Sequence, residues 1–297
     1  MHAEDADVEL ELVDRLPPPV PGRTRHRAEA PDDITSRVEV VDDASGVTAF
    51  RYGDGTAIDL THHERPARIR AAIAPGQTLE DLTVYLYGPV LGFLLRAWGR
   101  LALHASCVRI GDGAVLLAGP PGAGKSTTAA ALAARGATVL SDDLTALSTE
   151  DDRTLAWPAF DHLRLWADGE RIVLGETGQL ERITPTWDKR RFPLDGAAFA
   201  EEPVSVSAIV VLRPRAQSGS AVTRTIPPAR AVIELATLTY ANYMLDAPMR
   251  ARELTQLGAL VRAVPVRSLT PPAGSDRLDA LCDAIVRAAG PRTPARA

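Results

Sequence analysis

Eight consecutive residues fit the pattern G-x-x-x-x-G-K-[ST], which is typical of a loop that wraps around phosphate groups. They are Gly119, Pro120, Pro121, Gly122, Ala123, Gly124, Lys125 and Ser126. The apolar run Ala114–Ala118 before them predicts a buried strand, and the Ala- and Leu-rich segment Ser126–Arg135 predicts a helix. Because strand, loop and helix follow in the order that the pattern requires, we expect the loop to bind a nucleoside triphosphate.

The residue types in this loop suit the parts of a nucleotide. Gly122 and Gly124 let the backbone adopt positive φ and approach the phosphates, while the new helix offers unpaired N–H groups and the positive end of its dipole. Lys125 suits the β- and γ-phosphates, Ser126 offers a hydroxyl ligand to Mg²⁺, and Thr127 is placed to reach the α-phosphate. A chance Gly-rich turn is the alternative, and the flanking strand and helix argue against it.

A hairpin is predicted directly upstream of the loop. Leu101–Ile110 reads as a strand, and only Gly111–Gly113 separates it from the strand Ala114–Ala118. Such a short turn forces an antiparallel pair. Common P-loop proteins reach this strand through helical crossovers in a parallel sheet, so the hairpin predicts a different, mixed sheet.

Two adjacent carboxylates follow the predicted helix. Gly136 is placed to end that helix, and Ala137–Ser141 reads as a short strand that runs into Asp142 and Asp143. One carboxylate can hold Mg²⁺, and the other can accept a proton from an attacking hydroxyl. Neighbouring residues of a strand point to opposite faces, so the two roles should differ. A solvated turn is the alternative, since Asp-Asp is common at strand ends.

His104 lies in the first strand of the predicted hairpin, where a lone histidine is more often a core residue. Lys125 follows His104 by 21 positions, and Asp143 follows Lys125 by 18. This order and spacing resemble the catalytic domain of bacterial HPr kinase/phosphorylase, whose fold is shared with phosphoenolpyruvate carboxykinase. The resemblance covers about Leu101–Leu147. It implies that Asp143 deprotonates a serine hydroxyl as general base, that His104 orients or polarises it, and that Asp142 assists Mg²⁺.

The chain departs from that family after this region. The Gly-rich stretch with Glu and Arg that follows in the enzyme acting on HPr is absent, and Leu155–Trp166 stands in its place. This argues against HPr as the substrate and against the reverse, phosphate-driven reaction. The layout looks closer to HPr-kinase-like proteins of peptide natural-product and polysaccharide clusters, including the lasso-peptide kinases, which phosphorylate a C-terminal serine of a precursor peptide. The segments Leu163–Trp166 and Lys189–Leu194 both resemble that group.

Basic residues in these two segments have two interpretations. Arg164, Lys189 and Arg190 are either solvated surface residues or cations that meet the transferred phosphate or an acidic acceptor. A second cation beside Lys125 would help, because the charge of the transferred group is spread over several oxygens. The sequence does not say which residue it is.

The net charge, the apolar runs and the cysteines limit the classes of protein to which the chain can belong. The net charge of −5 and the pI near 5.7 argue against general nucleic-acid binding. No apolar run reaches the length of a membrane span, and the acidic start Met1–Asp5 is no signal peptide, so we expect a cytoplasmic protein without a membrane partner. Cys107 and Cys282 are too isolated for a metal site or a disulfide framework and are interpreted as core thiols.

The chain of 297 residues divides into a β-rich lobe at 1–99, a catalytic core at 100–290 and a flexible tail at 291–297. In the lobe we predict a loop or arm at Leu16–Asp33 and a helix at Leu79–Trp98 capped by Thr78. The predicted strands of the lobe are Asp7–Val13, Val38–Val41, Val47–Tyr52, Ala57–Leu60 and Ile69–Ile73. Beyond the catalytic strand the predictions are a hairpin of Ala208–Leu212 with Ala221–Thr225, helices Ala229–Leu245, Pro248–Val261 and Ser275–Ala289, and a strand Pro265–Leu269.

The fold class expected from these features is α/β, a mixed-sheet P-loop kinase core of the HPr kinase/phosphoenolpyruvate carboxykinase type with a small N-terminal β-rich lobe. The resemblance implies an ATP- and Mg²⁺-dependent kinase that acts on a serine hydroxyl of a peptide or small protein such as a lasso-peptide-type precursor. Two alternatives stay open. One is a kinase of free serine, a sugar or another small alcohol, and the other is a regulatory protein in which ATP only switches conformation. The oligomeric state is also open.

Overall fold

The computed structural model describes residues 7–28, 37–151, 153–274 and 277–290. The chain forms two compact units. The first consists of Met1–Trp98 together with the short segments Thr184–Thr186 and Ala241–Met249, and the second holds the rest of the chain. The predicted tail at 291–297 lies outside the described residues.

The first unit contains a six-stranded sheet with the order β1-β6-β5-β4-β3-β2. The strands are β1 (Val8–Leu12), β2 (Gly22–Arg27), β3 (Val38–Asp43), β4 (Thr48–Tyr52), β5 (Ala57–Thr61) and β6 (Ala67–Ala72). All neighbours are antiparallel except β1 and β6, which are parallel. Period-2 alternation sends Val40, Phe50, Ile58 and Ile69 into one buried core.

Strand β2 corrects the predicted loop at Leu16–Asp33, of which residues 29–33 lie outside the described part. Its sequence GRTRHR has no apolar alternation, and its side chains are exposed or half-buried. It is held by the backbone ladder to β3 and by cross-strand ion pairs such as Arg25 with Asp42 at 2.5 Å. A strand held in this way leaves no hydrophobic signal in the sequence.

The predicted helix Leu79–Trp98 is interrupted in its middle. It consists of α1 (Leu79–Tyr85), a wide π-helical turn at Leu86–Val90 and α2 (Leu91–Ala97). The wide turn contains Pro89, which has no N–H to donate and whose ring would clash with the carbonyl four residues earlier in a regular helix. The predicted cap is confirmed, because the Thr78 side chain accepts a hydrogen bond from the first turn of α1.

The second unit contains a mixed sheet of nine strands and a separate two-stranded sheet. The nine strands are β7 (Leu101–Leu103), β8 (Ala105–Ile110), β9 (Gly113–Ala118), β10 (Thr138–Ser141), β11 (Thr145–Glu150), β12 (Arg153–Ala156), β15 (Val204–Leu212), β16 (Val222–Thr225) and β17 (Val266–Thr270). The two-stranded sheet pairs β13 (His162–Trp166) with β14 (Lys189–Pro193). The helices are α3 (Lys125–Ala134), α4 (Ala167–Leu174), α5 (Pro228–Thr237), α6 (Ala247–Ala263) and α7 (Leu278–Ala288).

The nine-stranded sheet confirms the mixed α/β class. β8 and β9 form the predicted antiparallel hairpin, whereas β15 is parallel to both β9 and β17. The predicted single strand Leu101–Ile110 is wrong in one respect, because it breaks at His104. There the backbone N–H of His104 donates to the Leu238 carbonyl at 2.8 Å, while β7 pairs with β11 and β8 pairs with β9 and β10.

Two predictions in the C-terminal third are also wrong. Ala208–Leu212 and Ala221–Thr225 do not form a hairpin, because β17 lies between β15 and β16. β17 follows β16 by more than 40 residues in the chain. It occupies the position beside β15 that a hairpin would give to β16. The helix predicted at Ala229–Leu245 ends at Thr237, since the next residue, Leu238, uses its carbonyl to accept from His104.

Residues of β15 alternate between two apolar cores, one on each face of the sheet. Ile209 and Val211 pack with α5 and α6, whereas Val210 and Leu212 pack with α3 and α7. The helix that follows the Gly-rich loop is therefore held on the face opposite α5.

Candidate functional site

The loop after β9 has the backbone conformation that its glycines allow. Gly119, Gly122 and Gly124 have φ of 153°, 78° and 85°. Gly124 is the N-cap of α3, and no side chain caps this helix. The N–H groups of its first turn therefore remain available to an anion, which the helix dipole also attracts.

Two glycines allow close packing around the loop. A Cβ on Gly119 would lie 3.1 Å from the Leu212 carbonyl oxygen, so the loop touches the end of β15. A Cβ on Gly169 in α4 would lie 2.8 Å from the Thr127 hydroxyl oxygen. The missing side chain of Gly169 thus leaves room for Thr127 in the first turn of α3.

The Lys125 ammonium is folded onto its own loop. Nζ donates to the carbonyls of Gly119 at 3.0 Å and Pro120 at 3.3 Å, and the residue is buried. Burial lowers the pKa of the Lys125 ammonium, although the charges of Asp143 and Asp142 oppose the shift. The cation is therefore held inside the loop that would surround a phosphate.

The Asp142 carboxylate joins three elements. Its Oδ1 accepts from the hydroxyls of Ser106 at 2.6 Å and Ser126 at 2.9 Å, and its Oδ2 accepts from the Arg164 backbone N–H at 3.0 Å. Burial raises the pKa of the Asp142 carboxyl, and the charge of Asp143 raises it further. The hydrogen bonds to Asp142 lower the pKa but do not outweigh these two effects. A cation beside Ser126 and Asp142 would relieve this cost of charge burial.

Asp143 is surrounded by basic groups. Oδ2 lies 3.2 Å from Lys189 Nζ and 4.0 Å from an Arg164 guanidinium nitrogen, and Oδ1 lies 3.8 Å from His104 Nε2. Burial alone would raise the pKa of the Asp143 carboxyl, but His104, Lys189 and Arg164 outweigh it and hold the pKa well below its usual range. Asp143 is therefore ionised at neutral pH, and its side chain is 21% exposed.

The backbone of Asp143 has φ of 62°, in the left-handed region that Asp tolerates better than most residues. This turn ends the β10 segment and directs the two carboxylates to different partners. Asp142 thus contacts hydroxyls, whereas Asp143 contacts cations, and the roles predicted for the two carboxylates stay predictions.

His104 is positioned by the break between β7 and β8. Its ring packs edge-on against Tyr240, with the ring centroids 5.7 Å apart, and its side chain is 28% exposed. It is thus a half-buried residue at the rim of the cluster rather than a core histidine.

Most of the predicted site residues come together. His104, Lys125, Ser126, Asp142 and Asp143 are linked through the contacts above, and the β13–β14 sheet adds Arg164 and Lys189.

Arg190 does not join this cluster, because alternation along β14 turns it to the other side. There its Nε lies 3.6 Å from Glu170, and its guanidinium donates to Asp188 at 2.8 Å. The sequence reasoning missed Ser106. Its signal is a single hydroxyl in an apolar strand, two residues after His104.

The oxygens near the loop suit one kind of metal. Within the described part of the chain, no group of three or more His, Cys, Asp or Glu side chains could hold a metal ion. Mg²⁺ commonly takes only one or two protein oxygens and fills its other positions with water and substrate phosphates. The Ser126 hydroxyl and the Asp142 carboxylate, 2.9 Å apart, are a donor set of this kind.

Among the described helices, none is long and apolar enough to cross a membrane.

Comparison with known proteins found similarity to solved structures only. No family model and no curated protein matches the chain. A solved structure of the HPr(Ser) kinase/phosphatase from Coxiella burnetii is similar over 63% of this chain and 95% of that chain, with 14% sequence identity and a TM-score of 0.33. At this level the match does not establish membership of a family. The fold class stated above depends on the sheet order and on the loop geometry.

Proposed function

We propose that the protein is a kinase that binds ATP and Mg²⁺ at the loop Gly119–Ser126 and transfers the γ-phosphoryl group to a hydroxyl. One observation carries the proposal. A phosphate-binding loop, a hydroxyl–carboxylate pair and a second carboxylate ringed by cations lie within one continuous set of contacts. A protein that only binds nucleotide has no need of the second carboxylate.

In this proposal Ser126 and Asp142 hold Mg²⁺. When bound, the ion neutralises charge on the phosphates. Ser106 and the Arg164 backbone N–H fix the orientation of the Asp142 carboxylate, because each donates a hydrogen bond to it. Lys125 turns from the loop carbonyls to the phosphate oxygens when ATP enters.

Asp143 serves as the general base. The acceptor oxygen forms a bond to the γ-phosphorus, the bond from that phosphorus to the bridging oxygen breaks, ADP leaves, and the hydroxyl proton passes to Asp143. Lys189 and Arg164 lie near enough to Asp143 to contact a transferred phosphate as well. As these cations turn to the phosphate, the pKa of the Asp143 carboxyl rises and its capacity to take the proton increases. His104 orients the acceptor hydroxyl.

The acceptor in this proposal is a serine of a peptide or small protein, such as a lasso-peptide-type precursor. Its first support is the sequence resemblance around His104 and Asp143. Its second support is access: the side chains of His104 and Asp143 are 28% and 21% exposed, and the neighbouring Trp166 is 54% exposed. A hydroxyl carried on a chain can therefore approach the base from solvent.

The test is a transfer assay by mass spectrometry with ATP, Mg²⁺ and separate serine-ended peptides, HPr and free serine. We expect a gain of one phosphate, about 80 Da, on a peptide. Asp143→Asn should lower the transfer rate by about 10² to 10⁴-fold while ATP still binds, since only the base is lost. Asp195→Asn changes an exposed aspartate outside the site and is the matched control.

Three outcomes would contradict the proposal. Full transfer by the Asp143→Asn variant would remove Asp143 as the base. Phosphorylation of free serine alone would move the acceptor to the class of small alcohols, and tight ATP binding without any transfer would favour a regulatory protein.

A further inference from the structure

A second cavity lies on the opposite face of the sheet from α3. Its volume is about 460 Å³, and its lining includes Arg213, Arg224, Ile226, Arg230, Ser268 and Thr270. Ile226 belongs to the apolar core on the α5 side, whereas α3 packs on the other core. The cavity is thus separated by the sheet from the helix that follows the phosphate loop.

The sheet register explains why these side chains converge. Arg224 of β16 is directly opposite Ser268 of β17, and Val222 is opposite Thr270. Directly opposite residues of antiparallel strands share a face, and Ser268 and Thr270 alternate with Leu269, which is buried in the α3 core. The side chains of Arg224, Ser268 and Thr270 therefore lie on the α5 face.

The cavity carries positive charge without matching carboxylates. Arg213 is neutralised by an ion pair with Glu234 of α5. Arg224 and Arg230 are exposed, and neither has an ion pair among the described residues. Two guanidinium groups at one cavity suit an oxyanion, because the planar fork of Arg donates two parallel hydrogen bonds to it.

The start of α5 adds to the preference for a dianion. Pro227 is the N-cap, no side chain caps the helix, and Pro227 and Arg230 both line the cavity. The positive end of the helix dipole therefore faces the same space as the two free guanidinium groups. The Thr270 hydroxyl supplies a further donor, whereas the Ser268 hydroxyl donates to the Arg224 carbonyl at 3.4 Å.

We propose that this cavity binds a small molecule through a phosphate monoester, separately from the nucleotide at the Gly119–Ser126 loop. A phosphate monoester carries nearly two negative charges at neutral pH, which matches the two unpaired arginines. A volume near 460 Å³ is in the range of small-molecule sites. This inference does not depend on the proposed kinase activity.

The experiment is calorimetric titration of the full chain with glycerol 2-phosphate. The double variant Arg224→Gln with Arg230→Gln should lose at least about tenfold in affinity, because two charge-assisted contacts are removed. Arg262→Gln, which removes an exposed arginine outside the cavity, should bind like the parent. Lys125→Ala should also retain binding, since it alters only the other site. A thermal melt of the double variant, with the same midpoint as the parent, confirms that it is folded.

Three results would overturn the proposal. They are loss of binding in Lys125→Ala with retention in the double variant, absence of binding by the parent protein, and tighter binding of succinate than of the phosphate monoester. The first would place the anion at the nucleotide loop, the second would remove the site, and the third would assign it to carboxylates.

Discussion

At the scale of single residues, Lys189 has the shortest distance to the proposed base. Its Nζ lies 3.2 Å from Asp143, and after the His104 hydrogen bond its charge is the next cause that lowers the pKa of this carboxyl. Lys189→Met should therefore raise the pKa of the Asp143 carboxyl and move the acid limb of transfer to higher pH. The measurement is kcat/KM for transfer against pH, which reports the ionisation of the free enzyme.

Arg191→Met is the control for this prediction. Arg191 is two residues further along β14, is 52% exposed and pairs with Asp161 instead. Its pH profile should match that of the parent. An acid limb that stays in place in Lys189→Met would show that Lys189 does not set the charge state of Asp143.

The close approach of Gly169 to the Thr127 hydroxyl leads to a steric prediction. A Cβ at position 169 would lie 2.8 Å from the Thr127 hydroxyl, so Gly169→Ala forces this side chain to move. If Thr127 contacts the α-phosphate, ATP affinity should fall by about tenfold, the loss expected for one hydrogen bond to a charged group. Fluorescence titration with a labelled ATP analogue measures it, and Gly258→Ala in α6 is the control.

Thr127→Ala provides a second check on this prediction. It removes the hydroxyl that the new methyl would strike, so adding Gly169→Ala to Thr127→Ala should cost no further affinity. An added loss of affinity in the double variant would place the clash elsewhere than at Thr127.

At the scale of elements, the α1 N-terminus offers a stability prediction. The Thr78 hydroxyl accepts from the Asp81 N–H at 3.3 Å, and the Asp81 carboxylate accepts from the Thr78 N–H at 2.9 Å, which is a reciprocal capping box. Thr78→Ala should lower the free energy of unfolding by about 1 kcal/mol. Urea denaturation measures the change. Thr83→Ala, inside the same helix, should cost little because alanine favours the helix.

Elements with local signals were predictable from the sequence. Local signals predict the strand, loop and helix around Gly119–Ser126 and the hairpin before them, because the residues that form each element are close together in the sequence. The parallel pairing of β15 with β17 was not predictable, because the partner strand arrives after two helices and leaves no local mark. β2 was missed since backbone hydrogen bonds and ion pairs hold it without apolar alternation.

The residues of the candidate site also divide into those that the sequence predicts and those that only the fold brings together. His104, Lys125 and Asp143 were predicted from their types and spacing within one segment of the chain. The approach of Arg164 and Lys189 to Asp143 depends on the β13–β14 pairing, in which Trp166 is opposite Lys189. Register also decides that Lys189 faces Asp143 while its neighbour Arg190 faces Glu170. A one-residue shift would exchange them, and the sequence does not fix it.

At the scale of the whole molecule, charge is distributed unevenly. The chain has a net charge of −5, yet cations gather at Asp143 and at the cavity beside Arg224 and Arg230. Both places can attract anions within about a Debye length although the whole protein is acidic. The overall charge therefore indicates little about the ligands of either site.

Global stability should begin to fall at mildly acidic pH because of three histidines. Burial is the largest cause that lowers the pKa of His26, His62 and His162 below the ordinary value of 6.5. For a base with a lowered pKa in the folded state, the unfolded chain takes up protons first, so stability is complete above pH 6.5 and declines as pH falls below it. The lowered pKa of Asp143 affects stability only at much lower pH, where that carboxylate becomes protonated.

Urea denaturation at several pH values between neutrality and about pH 5 should show this early decline, and a variant with all three histidines replaced by Gln should lack it. An early decline of equal size in that variant would assign the acid sensitivity to other groups. The raised pKa of Asp142 acts in the opposite direction, so the comparison of parent and variant, and not the parent curve alone, tests the histidines.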